Sequence, residues 1–488
     1  MPTPKLSAIQ QCLLNHLPND VTQPLVAACS GGVDSIVLLH ELAALANTQG
    51  VTHKIIVCYV NHGLSEQAVQ WHNVVKLQCD QLGMLFVGKQ VSLDTSSKQS
   101  LEAQARTARY LALKEVAGEN GVVITAHHQD DQVETFLLAL KRGAGIKGLG
   151  AMQTHSVIKT ACGSLNIVRP LLTINRKEIE ERALSLNLNW VEDESNTDQQ
   201  FDRNFLRQTV IPLLNDRWAG IKQAIVRTSE HCQDAQKILD EVAREDLTRC
   251  LTPNNQLQVD QLLTLSESRF NYAIRYFLAQ QQELMPSRQV LAQVKQQLLA
   301  DADKTPQVKI GDKWLRRYKN SLMLTHNYAE LSLWKTTVNL LSLQHTDVSV
   351  TLPDTLGNLV FSFDSSSANN HNSSVNSRNS SSNNSEYKYA ASFYIPENIT
   401  ELTLCFSHDN PTCLPDFRQR SRSLKKVLQE LDIPPWERKH IPLLFDENNT
   451  LLSAIGHFIV QPYHVEPKSL STGSIKVNVH WLAGDNSG

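Results

Sequence analysis

The sequence SGGVDS at residues 30–35 combines a glycine pair with two hydroxyls and one carboxylate. A glycine pair lets the backbone approach an anion closely, and the unpaired N–H groups that begin the next helix bind phosphate. The hydroxyls are further donors, and the Asp34 carboxylate suits Mg²⁺. Because no lysine follows the glycines, the stretch is not a Walker loop. A glycine turn that only caps a helix is the alternative. The predicted phosphate-binding residues are Ser30, Gly31, Gly32, Val33, Asp34 and Ser35.

A second polar cluster, TAHHQDDQVET, occupies residues 125–135. Residues three and four apart are neighbours on a helix, so Asp130, Asp131 and Glu134 are expected on one side of it. With His127 and His128 just before them, these carboxylates suit coordination of Mg²⁺ or removal of a proton from an amine. The alternative is structural, because acids in a first turn stabilise the helix dipole and a histidine can cap a strand.

Arginines accompany both clusters. Arg106 and Arg109 stand three apart in a predicted helix, and guanidinium groups near phosphates stabilise the charge that develops during transfer. The alternative is a solvated helix face. Arg203 and Arg207 follow a turn rich in Ser and Asn, where they form either an arginine-lined edge or a capped helix. Asn61 and His62 end a predicted strand, where a ligand loop is expected.

The elements that position these residues alternate between strand and helix. Apolar, β-rich runs predict the strands, and apolar stripes at helical spacing predict the helices. The predicted strands span 24–29, 54–64, 85–91 and 122–128, and the predicted helices span 35–46, 65–82, 100–117 and 129–142. This alternation indicates an α/β fold with a parallel sheet, in which ligands bind beyond the carboxyl ends of the strands.

The chain of 488 residues is too long for one core and predicts several domains. We predict a Rossmann-like nucleotide-binding domain over 1–215, a mainly helical domain over 216–330, a connector over 331–390 and a small α/β domain over 391–488. Within the connector, residues 365–385 contain 10 Ser and 7 Asn. Such a tract buries little apolar surface, so we expect disorder there.

Composition excludes several classes of protein. No apolar run reaches the length of a membrane span, and the first residues do not form a secretion signal. The nine cysteines include no C-x-x-C pair, which favours free thiols and a cytoplasmic location over a disulfide frame or a zinc site. The net charge of −3 does not by itself indicate a nucleic-acid partner. The basic clusters at 314–319 and 417–426 therefore have to be judged locally.

With a strand before it and a helix after it, SGGVDS resembles the pyrophosphate loop of the PP-loop (N-type) ATP pyrophosphatases. The ordered set SGGVDS, VNHGL, EAQARTARY, TAHHQDDQVET, RGAGIKGLGAM, RPLL and DESNTD…RNFLR…IPLL resembles the tRNA(Ile)-lysidine synthetase family over roughly residues 20–215. The helical middle and the stretch at 422–444 also resemble that family's two tRNA-binding domains. The Ser/Asn tract departs from the family pattern as an insertion, and we expect it to have no function.

This resemblance implies an enzyme that uses ATP, with Mg²⁺, to ligate free L-lysine to C2 of the wobble cytidine of tRNA(Ile) with a CAU anticodon. The reaction passes through an adenylated cytidine and gives lysidine, which changes codon reading from AUG to AUA. An amine of pKa ~10.4 is mostly protonated at neutral pH, so a general base is useful. The oligomeric state is left open, a homodimer included.

The resemblance also implies roles for the residues. Asn61 and His62 join the loop in binding ATP, and Asp34 and Asp130 are the metal candidates. Arg106 and Arg109 are assigned to the ATP phosphates or the transition state. The base is sought among Glu134, Asp131 and, behind them, His127. The predicted tRNA contacts are Arg203, Arg207, Arg316, Arg317, Arg418, Arg420, Arg422, Lys425, Lys426 and Arg438.

Three other functions are weighed against this one. A tRNA thiolase of the same superfamily would need reactive or cluster-bound cysteines, and the lack of a C-x-x-C pair argues against it. An amidotransferase-coupled synthetase is disfavoured because no nucleophilic cysteine follows Met1. A nucleotide-binding module without catalysis belongs to a different class, and the intact Asp34 and the acidic helix argue against it.

Overall fold

The computed structural model describes residues 6–18, 23–48, 54–63, 65, 67–94, 101–192, 194, 198–300, 305–343, 346–363, 387–396, 398–461, 463–464 and 474–482. The chain divides into two compact units, residues 1–245 and residues 246–488. The predicted disordered tract at 365–385 lies outside the described residues, as does Ser100, the first residue of the helix predicted over 100–117.

Unit 1 consists of a six-stranded sheet with helices on both faces. Its strands are β1 Leu25–Ala28, β2 Ile55–Asn61, β3 Leu85–Gln90, β4 Val122–Ile124, β5 His155–Thr160 and β6 Gly163–Val168. Its helices are α1 Ala8–His16, α2 Val33–Thr48, α3 Ala68–Leu82, α4 Leu101–Ala117, α5 Gln129–Lys141, α6 Ile146–Leu149, α7 Arg176–Ser185, α8 Asp202–Phe205 and α9 Ile211–Arg217, with α10 Ile221–Cys250 following. A π-helical turn over Leu206–Val210 joins α8 to α9.

The strand order of this sheet is β3-β2-β1-β4-β6-β5. β1 runs parallel to β2 and β4, and β4 runs parallel to β6, so the predicted parallel sheet is confirmed. The edge strand β5 is antiparallel to β6, and this hairpin was not predicted. Strand β4 is shorter than predicted, because it ends at Ile124 and residues 125–128 lead into α5. The loops after β1, β2 and β4 therefore emerge at one edge of the sheet.

Apolar packing holds both faces of this sheet. Helices α1, α2 and α7 bury one set of aliphatic side chains against it, with Leu13, Val37 and Ile179 almost without exposure. Helix α4 covers the opposite face and contributes the buried Leu113. A separate cluster around Val133 of α5 includes Val226 of α10, which fixes the start of α10 beside the catalytic candidates.

Unit 2 begins with a helical part and a small antiparallel sheet. Its elements are β7 Leu257–Gln258, α11 Val259–Leu263, α12 Glu267–Gln280, α13 Arg288–Leu298, β8 Gln307–Ile310, β9 Lys313–Tyr318 and β10 Ser321–Thr325. The sheet order is β7-β10-β9-β8. The domain predicted as mainly helical over 216–330 therefore also contains a four-stranded sheet, in which β7 pairs with β10.

The remainder of unit 2 contains two larger sheets, ordered β11-β15-β18-β19-β20 and β12-β13-β21-β14, and a two-stranded ribbon, β16-β17. The strands are β11 Lys335–Asn339, β12 Val348–Thr351, β13 Asn358–Phe363, β14 Tyr387–Pro396, β15 Glu401–Cys405, β16 Thr412–Cys413, β17 Arg422–Ser423, β18 Leu443–Phe445, β19 Leu451–Ala454, β20 Phe458–Ile459 and β21 Ser474–Leu482. The helices are α14 Leu340–Leu343, α15 Leu424–Glu430 and α16 Pro435–Arg438.

The predicted connector is part of this folded region. β11 pairs with β15, and β13 pairs with β21, so residues before 391 supply strands to both large sheets. Their apolar side chains share one core with those of later strands. The boundary that we predicted at residue 391 was therefore wrong, because the core needs strands from both sides of it. In the part of the chain that the structure describes, no helix is both long and apolar enough to cross a membrane.

Candidate functional site

The loop between β1 and α2 has the conformation that its glycines allow. Gly31 has φ +90°, and an added Cβ would lie 2.9 Å from the Val191 side chain. The Ser35 hydroxyl accepts the Gly31 N–H at 3.1 Å and donates to the Gly32 carbonyl at 2.9 Å. Ser35 therefore shapes the loop itself, while Ser30 is exposed. The loop and the first turn of α2 are arranged to bind an anion.

Asp34 faces the start of α5 across the edge of the sheet. Its Oδ1 atom has no hydrogen-bond partner among the described residues, and the nearest His128 nitrogen, Nε2, lies at 3.6 Å. Burial raises the pKa of Asp34, but His128 and the guanidinium groups of Arg176 and Arg207 outweigh it and leave the pKa lowered. Asp34 is therefore a charged carboxylate with one unsatisfied oxygen, which fits a cation.

Asp130 is fully engaged within the protein. Its Oδ1 atom binds the Lys222 ammonium at the start of α10, and its Oδ2 atom accepts the Arg176 N–H of α7 at 3.0 Å. Burial raises the pKa of Asp130, and these partners lower it by more. Both oxygens of Asp130 thus have protein partners, which favours a structural role over the predicted role as a metal ligand. Among the described residues, no three His, Cys, Asp or Glu side chains form a group that could hold a metal ion.

Glu134 is fully buried and is held by an arginine from a distant segment. Arg207 donates from Nε to Oε1 at 2.7 Å and from Nη2 to Oε2 at 3.1 Å. Arg203 Nε lies 3.9 Å from the same carboxylate, and Arg207 Nη2 lies 3.6 Å from Asp131 Oδ1. Burial raises the pKa of Glu134, and Arg207 opposes this only in part. The structure thus places Arg203 and Arg207, both predicted as tRNA contacts, among the catalytic candidates.

His127 lies between these groups and a set of arginines. Its Nδ1 atom is 2.7 Å from the Thr125 hydroxyl. Burial and the charges of Arg169, Arg109 and Arg203 lower the pKa of His127 to about 4, against the opposing charge of Asp131. At neutral pH the His127 imidazole is therefore uncharged and able to accept a proton or a hydrogen bond.

The predicted ATP contacts at the end of β2 lie near Arg109. Burial and the Arg109 charge lower the pKa of His62, so this imidazole is also neutral near pH 7. The Asn61 side chain accepts the Gly63 N–H at 2.8 Å and so fixes the turn after β2. Arg106, on the same helix as Arg109, stacks on the Tyr110 ring at 5.0 Å.

Several basic side chains of unit 2 are structural. Arg316 is only 7% exposed, and its guanidinium lies 5.3 Å from the Tyr328 ring and 5.4 Å from the Trp436 ring. We correct its assignment as a tRNA contact, because a buried guanidinium cannot reach a phosphate. Arg317 donates to the Leu298 and Ala300 carbonyls at 2.7 and 2.9 Å.

The other basic residues of unit 2 differ in whether their charged groups have partners within the protein. Arg438 donates to the Ile433 carbonyl at 2.8 Å, and Arg418 and Arg422 both pair with Glu430. Three further basic residues are exposed, and no ion pair within 4.0 Å involves them in the described chain: Arg420, Lys425 and Lys426. Among the predicted tRNA contacts that the structure describes, these three are the ones that are both exposed and without an ion pair.

Comparison with known proteins gives matches over most of the chain. Family models match at residues 5–214 (PP-loop domain), 257–323 (TilS substrate binding domain) and 402–475 (TilS substrate C-terminal domain). The tRNA(Ile)-lysidine synthase of Haemophilus influenzae is 36% identical over 449 residues, which cover 91% of this chain and 97% of the relative. The chain belongs to the tRNA(Ile)-lysidine synthase family. Relatives with the same name from Vibrio parahaemolyticus (35% identity, 90% of this chain and 93% of the relative) and Actinobacillus pleuropneumoniae (34%, 90% and 97%) agree.

In this member of the tRNA(Ile)-lysidine synthase family, the site residues Lys222, Arg176 and Arg169 were not predicted individually, whereas His128 was predicted together with His127. His128 contacts the carboxylates of Asp34 and Asp131, and Lys222 binds Asp130. The main chain of Arg176 binds Asp130, and the buried Arg169 donates to the Gln153 carbonyl at 2.9 Å. His128 lies in the motif TAHHQDDQVET and Arg169 lies in the motif RPLL, so the sequence did point to both positions. No motif pointed to Lys222, because it lies 92 residues from its partner in sequence.

Proposed function

We propose that this protein is the ligase that joins the ε-amine of lysine to C2 of the wobble cytidine in tRNA(Ile) with a CAU anticodon, forming a carbon–nitrogen bond. ATP is converted to AMP and pyrophosphate. The observation that carries the proposal is the single sheet edge where the glycine loop, Asp34 and the Glu134–Arg207 pair meet, in a chain of this family. A thiolase is not favoured by any feature of the site.

The first step is adenylation of the base. The C2 carbonyl oxygen of cytosine attacks the α-phosphorus of ATP, and pyrophosphate leaves into the loop at 30–35. The loop N–H groups and the first turn of α2 bind the leaving anion. Arg106 and Arg109 are assigned to the phosphates, because guanidinium groups stabilise charge that develops on phosphoryl oxygens.

The second step is attack of the lysine amine on C2, with departure of AMP. The amine is a nucleophile only after it has lost a proton, and nearby cations favour the neutral amine as they favour neutral His127. Asp131 and His127 are the available proton acceptors. Glu134 is less available, since both of its oxygens accept hydrogen bonds from Arg207. We therefore assign Glu134 to orientation of Arg207 and Asp131 or His127 to proton removal.

Asp34 fits the role of a ligand for Mg²⁺, because its Oδ1 atom lacks a hydrogen-bond partner among the described residues. When bound, the ion would neutralise charge on the ATP phosphates. The tRNA is bound in part by Arg420, Lys425 and Lys426. A cytoplasmic location is consistent with all nine cysteines being free thiols.

One experiment tests the function directly. The protein is incubated with tRNA(Ile), ATP and lysine, and the nucleosides are then analysed by mass spectrometry. A mass gain corresponding to lysine minus water at the wobble cytidine is the expected result. Omission of lysine should leave adenylated tRNA and release pyrophosphate. A sulfur-containing nucleoside, or ATP binding with no pyrophosphate release in the presence of tRNA, would contradict the proposal and favour one of its rivals.

A further inference from the structure

His128 is fixed at the first turn of α5 by its own ring. It is 2% exposed, and its Nδ1 atom accepts the Asp130 N–H at 3.2 Å, which caps the helix. The Asp131 carboxylate accepts the His128 N–H at 3.0 Å and completes a capping box. Because Nδ1 is an acceptor, the ring proton of the neutral imidazole lies on Nε2. Nε2 also carries a proton in the imidazolium, so it is a donor in either charge state.

The Nε2 atom is directed at two carboxylates from different helices. It lies 3.6 Å from Asp34 Oδ1 on α2 and 3.5 Å from Asp131 Oδ2 on α5. The 3.6 Å contact between Nε2 and Asp34 Oδ1 is too long to be a hydrogen bond. It limits the movement of the Asp34 carboxylate and leaves Oδ1 without a hydrogen-bond partner among the described residues, so that a cation can still bind it.

We propose that His128 is a positioning residue for Asp34, acting through Nε2, in addition to capping α5 through Nδ1. The inference goes beyond the proposed function in assigning to His128 a role that it performs through Asp34. It rests on that function only in taking ATP as the ligand near Asp34. A residue behind a ligand-binding carboxylate typically changes affinity or activity by about 10–100-fold when removed.

The alternative is that His128 is only a helix cap, and two substitutions separate the roles. In His128→Asn the amide group takes the place of Nδ1, and asparagine is a good N-cap. In His128→Gln the longer side chain brings an amide N–H to the place of Nε2, where it can still face Asp34, but the cap is weakened. If His128 positions Asp34, His128→Gln should bind the ligand more tightly than His128→Asn although it is the less stable variant. If His128 is only a helix cap, the more stable His128→Asn should also bind the ligand more tightly.

The test measures affinity for α,β-methylene-ATP, with and without Mg²⁺, beside unfolding by urea. We expect His128→Asn to bind the Mg²⁺ complex about tenfold more weakly than wild type, with His128→Gln nearer wild type. The stability order should be reversed, with His128→Asn the more stable variant. In an Asp34→Ala background, His128→Asn should cause no further loss of affinity, because the contact is already removed.

His155→Asn, on the edge strand β5, is the matched control and should leave the affinity unchanged. The inference is overturned if affinity follows the same order as stability, or if His128→Asn binds like wild type. Failure of the wild-type protein to form lysidine would instead overturn the proposed function, while the binding order would still report on His128. Loss of binding in both variants with both remaining folded would also count against a specific Nε2 contact.

Discussion

The guanidinium of Arg207 binds the fully buried carboxylate of Glu134 by two hydrogen bonds, of 2.7 and 3.1 Å, across 73 residues of sequence. Arg207 belongs to the π-helical turn Leu206–Val210, and Glu134 belongs to α5. Such turns interrupt regular helices and often occur at functional sites. The pair therefore joins the segment after α8 to the helix that carries the acidic candidates.

Arg207→Ala should both destabilise the protein and abolish lysidine formation. It leaves Glu134 buried with only Arg203, 3.9 Å away, to balance its charge, and breaking a buried pair costs up to about 3–5 kcal/mol. Because the Arg207 side chain is 30% exposed, we discount this to about 2 kcal/mol. Urea unfolding and a lysidine assay measure the two effects. Arg217→Ala, at the exposed end of α9, is the control and should change neither.

The double variant Arg207→Ala, Glu134→Gln separates stability from chemistry. Removal of the unpaired charge should recover part of the lost stability, and activity should remain absent. If the double variant regains activity, Arg207 serves only to compensate the charge of Glu134. If the single variant is as stable as wild type, the pair does not hold this segment in place.

Prediction from the sequence was most accurate for elements whose local residue pattern also determines their structure. Short apolar runs predict strands, so β1, β2 and β3 were predicted within a few residues, although the edge strand β3 is only partly buried. The carboxyl ends of β1 and the parallel strand β4 lie at one edge of the sheet, which brings Asp34 and Asp131 to the same side. The pairing of β5 with β6 could not be foreseen in this way, because an antiparallel edge hairpin interrupts the alternation of strand and helix.

Long-range partners limited the prediction of the site. Arg316 was taken for a surface cation, and nothing local reveals that Trp436, 120 positions later, packs over its guanidinium at 5.4 Å. Asp130 was taken for a metal ligand, since its position in the motif does not reveal the Lys222 ammonium. The connector prediction failed because pairing of β11 with β15 spans the Ser/Asn-rich tract, which dominates the composition of that segment.

Asp34 and Asp130 should respond differently to removal of charge. Asp34→Asn should abolish tRNA-dependent pyrophosphate release and make any residual activity require more Mg²⁺. Asp130→Asn should leave the Mg²⁺ requirement unchanged, since both of its oxygens already have protein partners, and should reduce stability. Activity as a function of Mg²⁺ concentration and urea unfolding provide the two readouts. An increased Mg²⁺ requirement in Asp130→Asn would support the predicted metal assignment.

The low pKa of Asp130 gives a further expectation for pH. A carboxyl whose pKa is depressed on folding contributes stability that is present above its unfolded pKa, near 3.9, and is lost as pH falls through the folded pKa. Below about pH 4 the wild-type protein should therefore lose more stability than Asp130→Asn does. Urea midpoints compared between pH 6 and pH 3 measure this difference. Parallel curves for the two proteins would mean that Asp130 does not titrate in this range.

His127 should remain neutral in the folded protein down to a pH of about 4. An unfolded histidine has a pKa near 6.5, so the unfolded chain binds more protons between these values. His127 therefore lowers stability as pH falls from about 6.5 to 4, and it adds no ionisation to the activity profile near pH 7. Histidine resonances in NMR measure its titration. Arg169→Met should raise the pKa of His127, and an unchanged value would mean that burial and the charges of Arg109 and Arg203 cause the shift.

The basic surface of unit 2 is expected to bind tRNA through the charges that have no protein partner. Arg418 and Arg422 already pair with Glu430, so they should displace few counterions from the tRNA when it binds. Lys425 and Lys426 lie exposed on α15 and should account for more of the salt dependence. We predict that Lys425→Ala with Lys426→Ala weakens tRNA binding and flattens the plot of log affinity against log salt by about 0.7–0.9 per charge.

Three comparisons test whether unpaired charges account for the salt dependence of tRNA binding. Arg418→Ala with Arg422→Ala removes the same number of charges from the same surface and should change the slope less, because Glu430 is freed at the same time. Lys54→Ala, just before the amino end of β2 and so away from the ligand edge, should not change it. ATP affinity should remain constant in all variants, since the loop at 30–35 is untouched.

Equal slopes for the lysine and arginine pairs would mean that net charge, not pairing, governs binding. An unaltered slope for the lysine pair would mean that tRNA binds elsewhere.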